Sequence, residues 1–453
     1  MIRTFAPLFC CLAACTSYSP APVDLGAHAA AFAARLPDSD EIIAVADRIA
    51  RRTSAARGYD PRDGLTRAEA RLLTLWLHPE LRRARLQVAV TAAGKDHAGT
   101  WPDPQLNADF ARILEHVEHP WLAGGALGIT LPLFGRSGAA TAVADREHAA
   151  ARLQARAAET AALDALDSAW LHWSAARMRG DLLQDLLTRI RTLEALALRL
   201  ADHGELTRLA ARAFTLERLA REAEHASATT AIATTRLHLL HLLGLPPDTT
   251  LELIPDTAIE DRAGAADDRR PQLLTGPAVQ PAEHAHALAE RQLELAIAEQ
   301  WPDLTLLPGF GEEDAEPRAL LGFSLPLPLW NRNARAIAEA TATRELRAEE
   351  LRLAVEHATA RLATADVRLA GATAQRLMLT RDLLPAVAAQ VADGQRMAEL
   401  GQLDPLLLLD TLTRAHEAQL AVIDAGVAEG EATITRNTLF WPEAWLPAAE
   451  EIR

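Results

Sequence analysis

The chain has 453 residues, a formal net charge of −15, 49% hydrophobic residues and only 4% aromatics. An acidic balance of that size leaves no basic face for phosphates and argues against a nucleic-acid partner. No run of eighteen apolar residues occurs, which excludes a transmembrane helix and leaves a lipid anchor, a β-barrel or no membrane link at all.

The first residues read as a secretory signal. Arg3 precedes a short apolar run from Phe5 to Ala14, too short to span a bilayer as a stable helix. Its end, Leu12-Ala13-Ala14-Cys15, resembles a bacterial lipobox, in which Cys15 becomes the acylated first residue of the mature protein. The competing reading is an ordinary cleaved signal with incidental cysteines. Thr16 and Ser17 follow with no Asp after the cysteine, which by analogy with lipoprotein sorting favours the outer membrane. Cys10, Cys11 and Cys15 are the only cysteines, so nothing downstream can form a disulfide or a thiolate metal site.

Past residue 100 the periodicity alternates. Leu106, Ala108 and Phe110 are separated by polar residues, and Leu127, Ile129, Leu131 and Leu133 by small or polar ones. Each run predicts a strand of about 9–11 residues, the length that crosses a bilayer when tilted. A polar turn is expected at Glu115–Gly124. Trp101, Trp121 and Phe134 collect near the strand ends, where interfacial aromatic girdles sit. Arg112 marks an early strand end, and soluble hairpins on a coiled coil are the plain alternative.

None of the 25 prolines falls between Pro132 and Pro246. A stretch so long, dense in Ala, Leu, Arg and Glu, predicts continuous helix. Leu183, Leu186, Leu187, Ile190, Leu193, Leu196 and Leu200 form one buried stripe at three- and four-residue steps. Roughly 67 residues from Arg136 to Asp202 make a rod on the order of 100 Å, which suits a tunnel, stalk or coiled coil. Gly204 then caps the helix and Thr207 starts the next, which returns to about Leu243.

After a Pro-, Asp- and Gly-rich linker the same plan recurs. Trp301-Pro302-Asp303 repeats Trp101-Pro102-Asp103, Gly322-Phe323-Ser324-Leu325-Pro326-Leu327 repeats Gly128–Leu133, and Gly401-Gln402-Leu403-Asp404 repeats Gly204–Thr207. A second polar turn is expected at Glu312–Arg318, a bulge or early strand end at Pro308, and a kink at Pro385. Trp301 and Trp330 again flank the strands. The expected division is a signal at 1–14, an acylated segment at 15–63, a first repeat at 64–243, a linker or equatorial segment at 244–270, a second repeat at 271–437 and a tail at 438–453. Within the repeats, β-hairpins fall at 103–133 and 303–327. Helical hairpins fall at 136–243 and 332–437, with tips at 204–207 and 401–404.

No catalytic or nucleotide-binding motif occurs: neither a phosphate loop, a nucleophile elbow, a zinc-protease helix nor a dinucleotide fingerprint, so an enzyme is not expected. The close pairs His116–His119, His238–His241 and His284–His286 do not assemble a metal site, and none is assigned; no cofactor is expected. His238 and His241 are expected to pack, and most acidic residues of the long helices to be solvated or paired at i, i+4.

Two hairpins give four strands, too few to close a barrel, so several copies must share one. Long helical hairpins, four strands, an internal duplication and a lipobox together resemble the TolC-like outer-membrane factor family. The likeness runs from about Gly64 to Phe440. Gly64-Leu65-Thr66 with Ala68-Glu69-Ala70, then His78-Pro79-Glu80-Leu81, looks like its first helix. Leu325-Pro326-Leu327-Pro328-Leu329-Trp330-Asn331-Arg332-Asn333 looks most like the heavy-metal (CzcC-like) branch, with Trp330 where Phe is usual.

The resemblance implies a mainly α fold with a small β part: helical hairpins forming a periplasmic tunnel, and four strands per chain in a homotrimeric twelve-stranded barrel. It implies passive conduction of small molecules or metal ions from an inner-membrane pump, the RND type being one candidate, joined by a periplasmic adaptor. Gly204, Leu206, Thr207, Gly401, Leu403 and Asp404 match the adaptor-binding tips, and Asp202 and Asp393 are candidates for a pore constriction. A rival reading is a lipid-anchored periplasmic adaptor or scaffold, which explains the helices but not the paired alternating strands.

Overall fold

A computed structural model describes residues 18–50, 59–114, 120–263, 269–313, 316–399 and 405–442. Its axis is one helix, α5 (Arg136–Asp202), 67 residues without a break. Four elements lead to it: α1 (Leu25–Ala33), α2 (Asp40–Ala50), α3 (Arg67–Leu77) and α4 (Pro79–Asp96), followed by strands β1 (Gln105–Arg112) and β2 (Trp121–Leu131). The return arm is α6 (Arg208–Leu242). The second half contains α7 (Arg269–Leu274), α8 (Gln280–Ala298), β3 (Leu304–Glu313), β4 (Glu316–Ser324), α9 (Ala334–Met378), α10 (Leu384–Glu399) and α11 (Pro405–Asn437).

Local chemistry sets these boundaries. Thr66 caps α3 in a capping box: its hydroxyl accepts from the Glu69 amide while the Glu69 carboxylate accepts from the Thr66 amide. Pro79 cannot continue α3 and instead opens α4 at its first position. Pro385 is accommodated by a single π turn at Leu379–Leu383, wide enough to absorb the hydrogen bond that proline cannot donate. The kink expected there is therefore a local change of helix type between α9 and α10.

The leucine stripe of α5 is buried from Leu183 to Leu193, and its last members, Leu196 and Leu200, are half-buried. Leu183, Leu186, Ile190 and Leu193 pack on Ala211 and Phe214 of α6 and on Leu412 of α11. A second cluster lies midway along the rod, where Leu72, Leu73 and Leu77 of α3 meet Leu166 and Trp170 of α5 and Leu239 and Leu240 of α6.

The segment after α6 is fastened to the rod. Leu65 and Leu253 form a parallel bridge, and Arg262 reaches Asp164 at 2.9 Å and Asp167 at 3.4 Å on α5. Asn437 accepts from the Arg262 amide and donates to the Glu260 carbonyl. The segment thus straps the rod at mid-height. Burial pushes the Asp164 carboxyl up even with Arg262 beside it, and burial does the same to Glu159 beside Arg85. These acids are buried partners of arginine, exceptions to the solvated or i, i+4 paired positions expected for most acids of the long helices.

Several other expectations change. β2 begins at Trp121, so Trp121–Gly124 is strand rather than turn. β3 and β4 extend to Glu313 and from Glu316, taking up most of the turn expected at Glu312–Arg318. Pro308 makes no bulge: the registers of β2–β3 and β3–β4 are unbroken, and only the β2–β3 pairing lapses beside it, where its missing N–H falls. His238 and His241 are exposed; Leu239, Leu240, Leu242 and Leu243 take the buried positions instead. The segment after the signal contains α1 and α2, which lack the long leucine stripe that marked the rod.

Gly244 closes α6 with φ +67, its N–H bonded to the His241 carbonyl and that of Leu245 to the Leu240 carbonyl. A Cβ there would lie 2.5 Å from the Leu77 carbonyl oxygen, whereas at Gly204, with φ +78, it would meet nothing within 4 Å. Gly244→Ala is therefore expected to destabilise the protein by roughly 2–3 kcal/mol, through backbone strain plus the clash. Gly204→Ala should cost about 1 kcal/mol from backbone conformation alone. Thermal unfolding in detergent, comparing the two variants, checks the order.

Candidate functional site

The four strands form one antiparallel sheet in the order β1-β2-β3-β4, so β1 and β4 both present unpaired edges. Residues directly opposite each other share a face, and the register sorts the sheet into two. On one face Leu106, Leu127, Pro308 and Leu321 make a row, and Phe110, Ala123 and Ala319 belong to it with Phe310, Leu306 and Phe323. The other face has Gln105, Asn107, Asp109, Gly124, Thr130, Thr305, Gly311 and Ser324, with Leu122, Leu307 and Leu320 its main apolar exceptions. Thr130 and Thr305 hydroxyls meet across it at 3.0 Å.

The apolar face has no cover. Phe110 is 78% exposed, Leu321 81% and Phe323 74%. A monomeric soluble protein rarely leaves a patch of that kind in water. At the helix-side end of the strands stand Trp101, Phe134, Trp301 and Trp330, with the Phe134 and Trp301 rings 5.5 Å apart. At the other end the Arg112 guanidinium lies over Trp121 at 5.4 Å. Aromatics thus flank an apolar band on both sides, and only the amphipathic sheet makes that band.

The chain enters α9 through Arg332 and Asn333, both in the left-handed region at φ 44 and 52. Asn333 donates its side-chain amide to the Ala296 carbonyl. The Asn331-Arg332-Asn333 run therefore has a structural task at the strand-to-helix corner, since Asn tolerates that conformation.

At the far end of α5 lies the first tip. His203 ends the helix, the Gly204 N–H bonds to the Ala201 carbonyl, and the Glu205 N–H bonds to that of Leu200, which is a Schellman closure. The Thr207 hydroxyl accepts from the Ala210 amide and starts α6. Leu206 is half-buried against the leucine cluster of α5, α6 and α11, the cluster that Leu408 and Leu409 of α11 also pack on. The first tip and the first turn of α11 therefore share one apolar cluster. Asp202 is exposed on this tip; Asp393 is exposed on α10 and pairs with Arg396. Cys15, Gly401, Leu403, Asp404 and the pair His116–His119 lie outside the described residues.

No protein-family model matches the sequence, and no curated protein matches it. Solved structures match over most of their length. The outer-membrane channel OprN aligns with a TM-score of 0.69 at 20% identity, covering 87% of this chain and 96% of that one. The outer membrane protein VceC of Vibrio cholerae gives 0.69 at 16%, covering 82% and 95%. The open-state MtrE outer membrane channel of Neisseria gonorrhoeae gives 0.65 at 19%, covering 82% and 88%. The chain has the TolC-like outer-membrane channel fold. At such identities the fold is carried by pattern, by strand alternation and helix length, rather than by particular side chains. The same pattern was visible in the sequence; the polar row Gln105, Asn107 and Asp109 was not singled out there, although its alternation with Leu106, Ala108 and Phe110 marks it.

Adjacent residues of β4 test the two faces. Leu321→Arg puts a charge on the apolar face and is expected to cost about 2–4 kcal/mol near a bilayer midplane, seen as loss of the protein from the outer-membrane fraction. Leu320→Arg, on the opposite face, is expected to leave that fraction unchanged.

Proposed function

We propose that copies of this chain close a shared β-barrel in the outer membrane and form a passive exit duct, its helices extending the lumen through the periplasm. The observation that carries this reading is the open amphipathic sheet with two free edges. Three copies fit best: two would give eight strands, whose interior side chains fill, whereas twelve strands leave an aqueous passage. On this reading the face bearing Asn107, Asp109 and Thr305 lines the lumen, and that bearing Leu106 and Leu321 meets lipid.

The rest follows the same plan. Cys15 is the acylated residue, after a signal at 1–14, and the strands belong to two repeats at 64–243 and 271–437. The two tips, Gly204, Leu206 and Thr207 with Gly401, Leu403 and Asp404, dock a periplasmic adaptor, because a glycine closure keeps the end narrow. Asp202 and Asp393, exposed near the tips, narrow and charge the duct's inner mouth. The driving force comes from an inner-membrane pump. The cargo is small molecules or metal ions; the heavy-metal likeness rests on the Leu325–Asn333 run, part of which the strand-to-helix corner already explains.

The purified protein is expected to conduct ions across a planar bilayer. A deletion strain is expected to become sensitive to exported compounds, and Gly204→Trp with Gly401→Trp to restore the oligomer but not the resistance. A soluble periplasmic protein without conductance would contradict the channel, and full resistance with both substitutions would contradict the tip assignment.

A further inference from the structure

The polar face of the sheet is unevenly furnished. Past the hydroxyls of Thr130, Thr305 and Ser324 at its helix-side end, and apart from its three leucines, it is mostly bare. There β2, β3 and β4 place Gly124, Ala126, Gly128, Gly309, Gly311 and Gly322, which project almost nothing beyond the backbone. β1 differs. Gln105, Asn107 and Asp109 stand out from it in single file, and all three are exposed.

Asp109 is a charge in a costly place. On β1 it lies between Ala108 and Phe110, which point to the opposite face, and Ala108 is in line with Gly125, Phe310 and Ala319 of the apolar band. The carboxylate is therefore level with that band. Its own line across the sheet is Gly124, Gly311 and Arg318. The two glycines offer no side chain to it, and among the described residues Asp109 has no hydrogen-bond or ion-pair partner. A carboxylate at bilayer depth must face water or a counter-charge, and such residues mark ion pathways.

The other charges of this face do not answer it. Arg318 lies three strands away, about 14 Å at the usual strand spacing, and has a contact of its own. Glu316 stands on the same face two residues before Arg318, is exposed, and balances that base in sign. One carboxylate per copy is left over.

We propose that Asp109 sets the ion preference of the duct at the level of the membrane. In a barrel of three copies it makes a ring of three carboxylates on a glycine-walled bore, and the ring concentrates cations over anions. The proposal rests on the shared-barrel reading, because closing the sheet is what puts this face around water. A lumen bounded by twelve strands is on the order of 20 Å across at the backbone. The ring therefore governs it at 0.1 M salt, where the screening length is about 10 Å, and ceases to at 1 M, where it is about 3 Å. The acids of the tips act separately, since α5 places Asp202 on the order of 100 Å from the strands.

The test is the reversal potential of the full chain in planar bilayers under a potassium chloride gradient. The native channel is expected to prefer potassium about threefold near 0.1 M and to lose the preference near 1 M. Asp109→Asn is expected to lower the ratio about twofold, and Asp109→Glu to keep it. Asp109→Cys should shift toward cations with an anionic methanethiosulfonate and toward anions with a cationic one. Phe110→Cys and the parent, whose cysteines all lie in the first fifteen residues, should shift with neither. Asn107→Asp adds a carboxylate to the same file and is expected to raise the ratio about twofold. A conducting channel indifferent to Asp109→Asn and to both reagents, or to Asn107→Asp, overturns the role of Asp109 and leaves the shared barrel standing. Shifts at Phe110→Cys in place of Asp109→Cys turn the sheet inside out and overturn both, as does a native protein that does not conduct.

Discussion

The structure depends on the unpaired backbone of two strand edges. β1 has 8 residues, and alternate residues of an antiparallel edge point their N–H and C=O groups outward, so about eight polar groups face away from the sheet. Leaving them unsatisfied in hydrocarbon costs on the order of 30 kcal/mol. That is several times the net stability of a folded domain. In water the edges would be tolerable, but there the face bearing Phe110, Leu321 and Phe323 is the misfit. The arrangement we propose answers both demands: the apolar face turned to lipid and each edge paired with another copy.

On that reading the helices extend the same solution away from the membrane. Because α4, α5, α8 and α9 follow the strand order, a closed ring of strands continues as a ring of helices. α5 then reaches on the order of 100 Å from its start, held by the leucine seam with α6 and α11 and by the strap at mid-height. The strap fastens through buried pairs, Arg262 with Asp164 and Asp167. Such pairs add little net stability but punish any shift that separates them, which suits a wall that must keep its helices in register.

Much of this was legible in the residues. The proline gap from Pro132 to Pro246 marked α5 because a proline inside a helix leaves an unpaired carbonyl and a clash, so its absence over that length is informative. The repeated Trp-Pro-Asp and Gly-x-x-Leu-Pro-Leu runs marked the duplication, and Gly204 marked the tip because a left-handed residue ends a helix most easily as glycine. Other features were hidden for physical reasons. Whether Asp164 is solvated or buried depends on Arg262, almost a hundred residues away. Whether Pro308 breaks a strand depends on which neighbour its absent N–H would have faced.

Native mass spectrometry of the protein extracted from outer membranes bears most directly on the central claim, that the open sheet is completed only by other copies. Three chains per particle, with no stable single-chain species, is the predicted result. A stable, membrane-inserted single chain would contradict it, because four strands would then have to survive in lipid with both edges bare.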